Sequence, residues 1–279
     1  MKSFSNRVAA ITGAASGIGR ALAENLADAG CHLALSDVDE AGLEETAASA
    51  RDKGVTVTTA KVDVADREAV YAWANQVVEQ HGRVNLVFNN AGVALGSTIE
   101  GVDYKDFEWL MNINFWGVVY GSKAFLPHLK QADAGHIVNI SSIFGIISVP
   151  TQGVYNSAKF AVRGFSDTLR QELDIERSTV RVSCAYPGGI KTNIAHSARM
   201  ADNILGTYAK SKQESADSFV SKALTTPDKA AKLILAGVRR DARRILVGPD
   251  ARLIDTVQRI FPALYQKVMI RGAQKRAVS

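Results

Sequence analysis

Strand-like apolar runs alternate with amphipathic helical stretches along most of this sequence. The alternation predicts a single α/β domain, a doubly wound parallel sheet of about seven strands with helices on both faces. Two further observations support this fold class. No internal repeat or linker-like segment divides the 279 residues, and a glycine-rich turn separates the first strand-like run from the first helical stretch. A strand, a glycine-rich turn and a helix in this order form the setting of a phosphate-binding loop.

The predicted strands share short apolar runs bounded by turn residues. They cover Arg7–Thr12, His32–Ser36, Val55–Lys61, Arg83–Phe88, His136–Ile140, Val180–Ala185 and Arg244–Val247. The predicted helices share apolar spacing of three and four residues. They cover Arg20–Ala29, Glu40–Lys53, Asp66–Gln80, Asp103–Lys130, Val154–Glu176 and Pro227–Arg239. We therefore expect one domain over 1–250, with a mobile flap at about 190–224 that contains one or two helices.

The composition indicates a soluble globular protein, with 47% hydrophobic and 22% charged residues. No apolar run approaches ~18 residues, so no membrane-spanning helix is expected, and the polar start of the chain lacks the apolar core of a signal peptide. Two cysteines do not form a disulfide framework, so a reducing cytoplasm is expected. The net charge of +5 arises from the end of the chain, where the residues from Arg239 onward include ten Lys/Arg and three Asp/Glu. No basic face lies on a recognisable nucleic-acid module, so nucleic-acid binding is not expected.

The glycine-rich turn, GAASGIG at Gly13–Gly19, is a candidate phosphate site. Its glycines would let the backbone approach a pyrophosphate, and the helix N-terminus offers free N–H groups and a positive dipole. Asp37 follows the second predicted strand, where a carboxylate can accept hydrogen bonds from an adenosine ribose. An alternative interpretation is that Asp37 caps the helix Glu40–Lys53.

A second candidate site contains Ser142, Tyr155 and Lys159. Tyr155 and Lys159 are four residues apart on a predicted helix and therefore share a face. The ammonium group should lower the pKa of the phenol, which makes Tyr155 a candidate general acid or base. Ser142 should stand at the carboxyl end of the strand His136–Ile140, where open α/β sheets bind ligands. The alternatives are a surface Tyr–Lys pair and an ordinary turn serine. Asn114 inside a helix suggests a functional role or a local kink.

Together these motifs resemble the short-chain dehydrogenase/reductase family over about residues 1–250. The motifs are Thr12-Gly13-x-x-x-Gly17-Ile18-Gly19, Asp63, Asn89-Asn90-Ala91-Gly92, Asn114, Ser142, Tyr155-x-x-x-Lys159 and Pro187-Gly188. The resemblance implies a Rossmann-type sheet with strand order 3-2-1-4-5-6-7, and a homodimer or homotetramer that packs the helices near 103–130 and 154–176 between subunits. It places Cys31 and Cys184 on strands two and six, roughly 19 Å apart and too far for a disulfide.

The resemblance also implies hydride transfer between a nicotinamide and a carbinol carbon. Tyr155 would take or give the hydroxyl proton, and Lys159 would lower the Tyr155 pKa and hold the nicotinamide ribose. Ser142 would hydrogen-bond the substrate oxygen, and Asn114 would position a water that links Lys159 to solvent. The expected cofactor contacts are Gly13, Ser16, Gly17, Ile18, Gly19, Asp37, Asp63, Val64, Asn90, Ala91, Gly92, Tyr155, Lys159, Pro187, Gly188, Ile190 and Thr192.

NAD is expected in preference to NADP. The Asp37 carboxylate would accept hydrogen bonds from the ribose hydroxyls and repel the 2′-phosphate of NADP. The glycine-rich loop offers Ser16 and no basic residue that would attract that phosphate. We expect no metal.

The substrate is predicted to be a hydrophobic secondary alcohol or ketone. The basis is a set of apolar residues that could form a pocket wall or belong to the core: Leu95, Phe144, Ile146, Val149 and Ile194. A 3-oxoacyl thioester, a polyol and a steroid remain open as substrates, and so does a dinucleotide-binding module without turnover.

The last predicted segment is a basic amphipathic extension over 251–279. Its apolar residues recur at helical spacing, and Pro262 should bend or split the helix. The apolar set is Leu253, Ile254, Val257, Ile260, Phe261, Leu264, Tyr265, Val268 and Met269, and the basic set is Arg252, Arg259, Lys267, Arg271, Lys275 and Arg276. The segment could pack on its own subunit or on a partner. It could instead rest on anionic lipid, which would make the protein membrane-peripheral.

Overall fold

The computed structural model of this protein describes residues 1–204 and 211–278. Its centre is one parallel sheet of seven strands, which confirms the predicted fold class. Numbered in chain order, the strands of this sheet are β1 Val8–Thr12, β2 His32–Asp37, β3 Val57–Lys61, β4 Leu86–Asn89, β5 Gly135–Ile140, β6 Val180–Pro187 and β7 Arg244–Val247. Their spatial order is β3-β2-β1-β4-β5-β6-β7, as the resemblance implied.

The helices fill both faces of the sheet. They are α1 Gly17–Asp28, α2 Glu40–Arg51, α3 Arg67–His81, α4 Tyr104–Met111, α5 Gly117–Gln131, α6 Gly153–Ile175, α7 Lys212–Lys222, α8 Pro227–Arg239, α9 Pro249–Ile260 and α10 Leu264–Val278. On one face, Leu22 of α1 and Ile234 of α8 share a core cluster with Leu33 of β2. On the other face, Trp73 of α3 meets Phe125 of α5 edge to face, with ring centroids 5.2 Å apart. Every residue of β1 is buried because helices cover it on both sides.

The long helix predicted over Asp103–Lys130 is interrupted. A π-helical turn, Asn112–Trp116, separates α4 from α5 and contains the buried Asn114. An asparagine inside a helix was expected to mark a functional role or a local kink. A local irregularity is present at this point, because the π-helical turn is wider than the α-helix on either side.

The segment at 190–224, predicted as a mobile flap, contains α7 and a two-residue strand, Arg199–Met200, that pairs in parallel with Leu95–Gly96. Arg199 also stacks over the ring of Trp109 at 3.6 Å and pairs with Asp106 at 2.8 Å. Residues 205–210 of the predicted flap lie outside the described residues.

Two predictions about isolated residues can be compared with the fold. Pro262 lies between α9 and α10, so the predicted split of the terminal helix is confirmed. Cys184 lies in β6, whereas Cys31 precedes β2 by one residue; both are free and buried, and four strand spacings separate β2 from β6. Within 1–204 and 211–278, no helix combines the length and apolarity needed to cross a bilayer.

Candidate active site

A cavity of about 710 Å³ lies at the carboxyl ends of the strands and joins the two candidate sites. It is lined by sixteen of the seventeen residues expected to contact a cofactor, all except Gly19. The lining residues are Gly13, Ser16, Gly17, Ile18, Asp37, Asp63, Val64, Asn90, Ala91, Gly92, Tyr155, Lys159, Pro187, Gly188, Ile190 and Thr192. Ser142 also lines the cavity, whereas Asn114 does not.

The glycine-rich loop has the backbone conformation that only glycine adopts easily. Gly13 and Gly17 have φ of +66° and +55°. A Cβ atom on Gly13 would stand 2.8 Å from Cα of Ala91, so the two loops touch at this point. Gly19 is buried beneath the loop, where an added Cβ would meet the Gly13 carbonyl oxygen at 2.0 Å. Gly19 therefore allows close packing of the loop on α1 and does not form cavity wall.

The start of α1 is available to an anion. Its N-cap residue, Ser16, makes no side-chain cap, and the first turn holds no acidic residue. The loop carbonyls are bonded away from this end: Arg20 donates to the Ala15 oxygen at 2.7 Å, and Thr46 donates to the Ala14 oxygen at 3.0 Å. Neither Arg20 nor Thr46 was predicted from the sequence, because their partners are backbone oxygens that no motif specifies.

The structure excludes the interpretation that Asp37 caps the helix that begins at Glu40. The Asp37 carboxylate accepts from the backbone N–H of Ala15 at 2.9 Å and of Val38 at 2.7 Å, and it lines the cavity. The N-cap of α2 is Asp39 instead, which accepts from the Gly42 N–H at 3.1 Å. Asp37 is therefore held against the glycine-rich loop, and its oxygens retain capacity for further hydrogen bonds.

A network of polar side chains supports the floor of the cavity. Asn90 donates to the Thr12 oxygen at 2.9 Å, and the Thr12 hydroxyl accepts from the N–H of Asn90 at 3.0 Å. Behind them, Asn89 donates to Asn139 at 2.8 Å and Asn139 donates to Ser166 at 2.9 Å, all three buried. Asn139 and Ser166 were not predicted, since a buried amide network has no periodic signature. Such a network fixes the strands β4 and β5 against each other and against α6.

Ser142 and its neighbour Ser141 have different surroundings. The Ser142 oxygen accepts from the Phe144 N–H at 3.1 Å, and the hydroxyl lines the cavity. Ser141 also lines the cavity, but its hydroxyl is engaged, since it donates to the carbonyl oxygen of Lys159 at 2.8 Å. Ser141 thus holds α6 against β5, while Ser142 is the serine that a ligand in the cavity could meet beside Tyr155.

Lys159 is 3% exposed, and its ammonium nitrogen donates to the Ile140 oxygen at 3.0 Å. The same nitrogen lies 5.5 Å from the centre of the Tyr155 ring. Burial lowers the pKa of Lys159 to about 8. Burial also raises the pKa of Tyr155 to about 12, although its hydrogen bond with Ser142 acts in the opposite direction. The expectation that this phenol's pKa falls below its usual value is therefore wrong for the protein alone, because burial disfavours the phenolate.

Asn114 lies behind this site. Its side chain pairs with the backbone of Val93, accepting from the N–H at 2.8 Å and donating to the oxygen at 2.8 Å. A Cβ atom on Gly92 would meet the Asn114 oxygen at 3.3 Å and the Lys159 nitrogen at 3.6 Å, so the three residues adjoin. The Asn114 side chain fixes the loop that follows β4.

Comparison with known proteins agrees with this geometry. Residues 7–203 match the family model described as short chain dehydrogenase. The chain belongs to the short-chain dehydrogenase/reductase family. SadH of Mycobacterium tuberculosis, named as an oxidoreductase, is 48% identical over 276 residues, covering 99% of this chain and 98% of SadH. A solved short-chain dehydrogenase/reductase from Burkholderia phymatum, in complex with NAD, is 32% identical with a TM-score of 0.85, over 95% of this chain and 97% of its own.

A second solved relative differs in the nucleotide it holds. This alcohol dehydrogenase from Thermococcus sibiricus is complexed with 5-hydroxy-NADP, and it is 29% identical with a TM-score of 0.71, over 84% of this chain and 90% of its own. Family membership thus makes this chain an oxidoreductase by class, and its reaction must be argued from its own cavity.

The far end of the cavity in this short-chain dehydrogenase/reductase is apolar. Four of the five residues predicted for a pocket wall line it, namely Leu95, Phe144, Val149 and Ile194. Ile146 does not, because it is 1% exposed and packs in a core cluster with Val118 and Tyr186. Three wall residues from later helices were not predicted from the sequence: Phe219 of α7 and Val268 and Met269 of α10.

Proposed function

We propose that this protein is a dehydrogenase/reductase that transfers hydride between a nicotinamide dinucleotide, preferably NAD, and a hydrophobic secondary alcohol or ketone. One observation carries the proposal. A single cavity joins the glycine-rich loop and Asp37 at one end to Ser142, Tyr155 and Lys159 at the other. At the second end, the Tyr155 hydroxyl and the buried Lys159 ammonium would meet the reactive ring of a bound cofactor.

The residues at the first end fit a dinucleotide. The N-terminus of α1, with no acidic residue in its first turn, favours a pyrophosphate, and Gly13 and Gly17 adopt the left-handed φ that this loop requires. Asp37 would accept from the adenosine ribose, and Lys159 would donate to the nicotinamide ribose. When bound, the cofactor supplies or accepts the hydride, which no protein side chain can do.

Proton handling would fall to Tyr155. Its raised pKa of about 12 keeps the phenol protonated at neutral pH, the form that donates to the oxygen of a ketone under reduction. Ser142, bonded to Tyr155, would hold the same oxygen as charge develops on it. Lys159, with a pKa of about 8, carries its charge at neutral pH and would favour the phenolate left behind. Asn114 would act as a positioning residue for a water between Lys159 and solvent.

The preference for NAD rests on charge at the end of β2. Asp37 is anchored with a carboxylate oxygen on the cavity side, and the residues that follow it, Val38 and Asp39, bring no positive charge. Arg20, the cation on the first turn of α1, is already bonded to the Ala15 oxygen and to Glu45 at 2.9 Å. A 2′-phosphate would therefore meet a carboxylate without a partner cation.

The test is NADH absorbance with a panel of secondary alcohols and ketones, including a polyol, a 3-oxoacyl thioester and a steroid. We expect the highest kcat/KM for an apolar substrate. Tyr155→Phe should retain cofactor binding, since the phenol is not expected to hold the nucleotide alone, and should lose kcat by at least about 100-fold. Near-normal kcat in that variant would contradict the assigned role. Nucleotide binding without turnover of any compound would favour a non-catalytic module.

We also propose a homodimer or homotetramer in the reducing cytoplasm. The exposed rings of Trp116 and Phe160 and the open space around Gly164 leave room for a second copy against the helices near 103–130 and on α6. The two buried free thiols suit a reducing compartment. Light scattering at micromolar concentration tests the assembly, and a monomeric mass would contradict it.

A further inference from the structure

The outer face of α9 is apolar. Leu253, Val257 and Ile260 recur at steps of four and three residues and therefore share one face of the helix. Leu253 and Ile260 are 66% and 63% exposed. Among the described residues, seven of the sixteen exposed large hydrophobic side chains lie between 253 and 270. Apolar exposure is thus concentrated in the last two helices, a distribution that marks an interaction surface.

The inner face of α9 is held by apolar packing and by ion pairs, and Ile254 packs there against the core cluster that contains Tyr186. Ala251 is buried, and the buried Asp255 accepts from Arg244 at 2.7 Å and from Arg259 at 3.0 Å. Arg244 belongs to β7, so this ion pair ties the helix to the edge of the sheet. The helix therefore keeps its apolar stripe outward while its position is fixed by Asp255.

Helix α10 is anchored by two of its apolar side chains and exposes two others. The Tyr265 hydroxyl accepts from the Ser148 N–H at 3.2 Å, and Met269 packs against the core cluster. Leu264 and Val268, each next to one of these residues in sequence, are exposed. Because Tyr265 and Met269 fix the helix on the body of the protein, Leu264 and Val268 face outward.

The charge of the same surface is positive. Segment 251–279 contains six Lys/Arg and one Asp. Arg252, Lys267 and Arg271 are exposed and form no ion pair with any acidic side chain in 1–204 or 211–278. Their charge is therefore available to an external anion. Apolar side chains interspersed with unpaired cations are typical of a helix that lies in the interface of an anionic membrane.

A second copy of the chain fits this surface less well. A two-fold dimer would bring the same patch against itself. Arg252, Lys267 and Arg271 would then approach their own copies without an acidic partner, and like charges across an interface oppose association. A lipid surface supplies both the apolar phase and the negative charge.

Helix α10 also borders the catalytic cavity. Val268, Met269 and Gly272 line it together with Phe219. Val268 is 63% exposed, so it stands at the rim where the cavity meets the surface. An apolar compound leaving a bilayer beside Leu264 and Val268 would enter the apolar end of the cavity without crossing water.

We propose that the tail surface docks on anionic lipid and holds the cavity mouth against it, so that the enzyme takes membrane-partitioned substrate. The tail surface is Leu253, Val257, Ile260, Phe261, Leu264 and Val268 with Arg252, Lys267 and Arg271. Docking stands on these residues alone, whereas the statement about substrate rests on the proposed function.

The docking test is sedimentation of the full-length protein with vesicles of phosphatidylglycerol and phosphatidylcholine, and with vesicles of phosphatidylcholine alone. We expect binding to the anionic vesicles at about 0.05 M salt and its loss at about 0.5 M salt. Leu253→Gln combined with Ile260→Gln should weaken binding at least about 10-fold. The matched control is Ile175→Gln, which replaces an exposed apolar residue at the C-terminal end of α6, outside the tail surface.

Three results would overturn docking. The first is wild-type protein that does not bind anionic vesicles at low salt. The second is a double variant that still binds as wild type does, and the third is a control that weakens binding as much as the double variant. If the double variant changes only the oligomeric mass in light scattering and wild type does not bind vesicles, the surface belongs to a second copy and the proposal fails.

The substrate test compares kcat/KM for a long-chain secondary alcohol and for a short soluble one, with and without anionic vesicles. Wild type should gain at least about 3-fold for the long-chain alcohol on vesicles, and the double variant should lose that gain while keeping its rate on the short alcohol. An equal gain in both proteins would refute delivery from lipid. Sedimentation requires no turnover, so docking can succeed or fail independently of the proposed oxidoreductase activity.

Discussion

Replacing Lys159 by methionine should make the cofactor-free protein more stable near neutral pH. The ammonium is buried, and burial lowers its pKa from 10.5 to about 8. One pKa unit corresponds to about 1.4 kcal/mol, so keeping this charge inside the protein at pH 7 costs the native state about 3 kcal/mol. Methionine has a similar length and no charge. It also loses the 3.0 Å hydrogen bond to the Ile140 oxygen, worth about 1 kcal/mol, which leaves a net gain of about 2 kcal/mol.

The gain should depend on pH in a defined direction. Because the native pKa lies below the unfolded value, the unfolded chain binds the extra proton between pH 8 and 10.5. Wild-type stability contributed by this group therefore rises with pH through that window. At about pH 9.5 the cost of the charge has fallen to roughly 1 kcal/mol, so the advantage of Lys159→Met should nearly vanish. The cysteine and tyrosine groups that titrate in the same range are common to both proteins and cancel in the difference.

The assay is urea unfolding of wild type and Lys159→Met at one protein concentration, at pH 7 and at about pH 9.5. Lys123→Met, at an exposed site on α5, controls for the loss of a lysine charge in general and should change the free energy of unfolding by less than about 0.5 kcal/mol. A Lys159→Met variant that is less stable at pH 7, or whose difference from wild type does not change with pH, would refute the reasoning. Lys159→Met should also lose turnover although it is more stable, because methionine has no charge that could favour the Tyr155 phenolate.

Three further predictions concern cofactor choice and packing. Asp37→Asn keeps the shape of the side chain and removes its charge. The ratio of kcat/KM for NAD to kcat/KM for NADP, which should be at least about 10 in wild type, should therefore fall at least about 10-fold. A wild-type ratio near unity would contradict the preference for NAD. Gly13→Ala adds a Cβ 2.8 Å from the Cα of Ala91 and should lower the free energy of unfolding by at least about 2 kcal/mol. Gly54→Ala, which also has a left-handed φ but open space around it, should lower it by about 1 kcal/mol. Equal losses in urea unfolding would show that the contact with Ala91 has no effect. Asp255→Asn leaves the partly buried Arg244 guanidinium without its carboxylate and should lower the free energy of unfolding by about 3 kcal/mol. Arg259→Gln should lower it by less than about 1 kcal/mol, because the Arg259 side chain is 58% exposed. The reverse order in thermal or urea unfolding would exclude Asp255 as the anchor of α9.

Local features of the sequence predicted much of the architecture. The apolar run of β1 and the glycine-rich turn after it define a strand, a loop and a helix within a few residues, and the structure has them in that order. Tyr155 and Lys159 share a helix face because a step of four residues is nearly one turn. Pro262 splits the terminal helix because proline lacks the N–H that the helix needs. Each of these predictions depends on residues close together in the chain.

The predictions that failed or were incomplete depend on residues far apart in the chain. Phe144 lines the cavity while Ile146, two residues later, is core, and nothing in their shared apolar character separates them. Val268 and Met269 reach the same cavity from the last helix, more than one hundred residues after Tyr155. Asn114 is paired with the backbone of Val93, which explains its buried position better than the helical pattern did.

The sequence by itself determined the order of strands and helices, the residue types at the carboxyl edge of the sheet and the excess of basic charge near the end of the chain. Only the tertiary structure decided the direction in which the Tyr155 pKa shifts, the hydrogen-bond partners of Asp37 and the face of α9 that is exposed. The reason is that periodicity and spacing act through local backbone geometry, which the sequence carries directly. Burial and desolvation depend on which distant segments cover a group, and the Tyr155 phenol is held at a pKa of about 12 by the enclosure built around it.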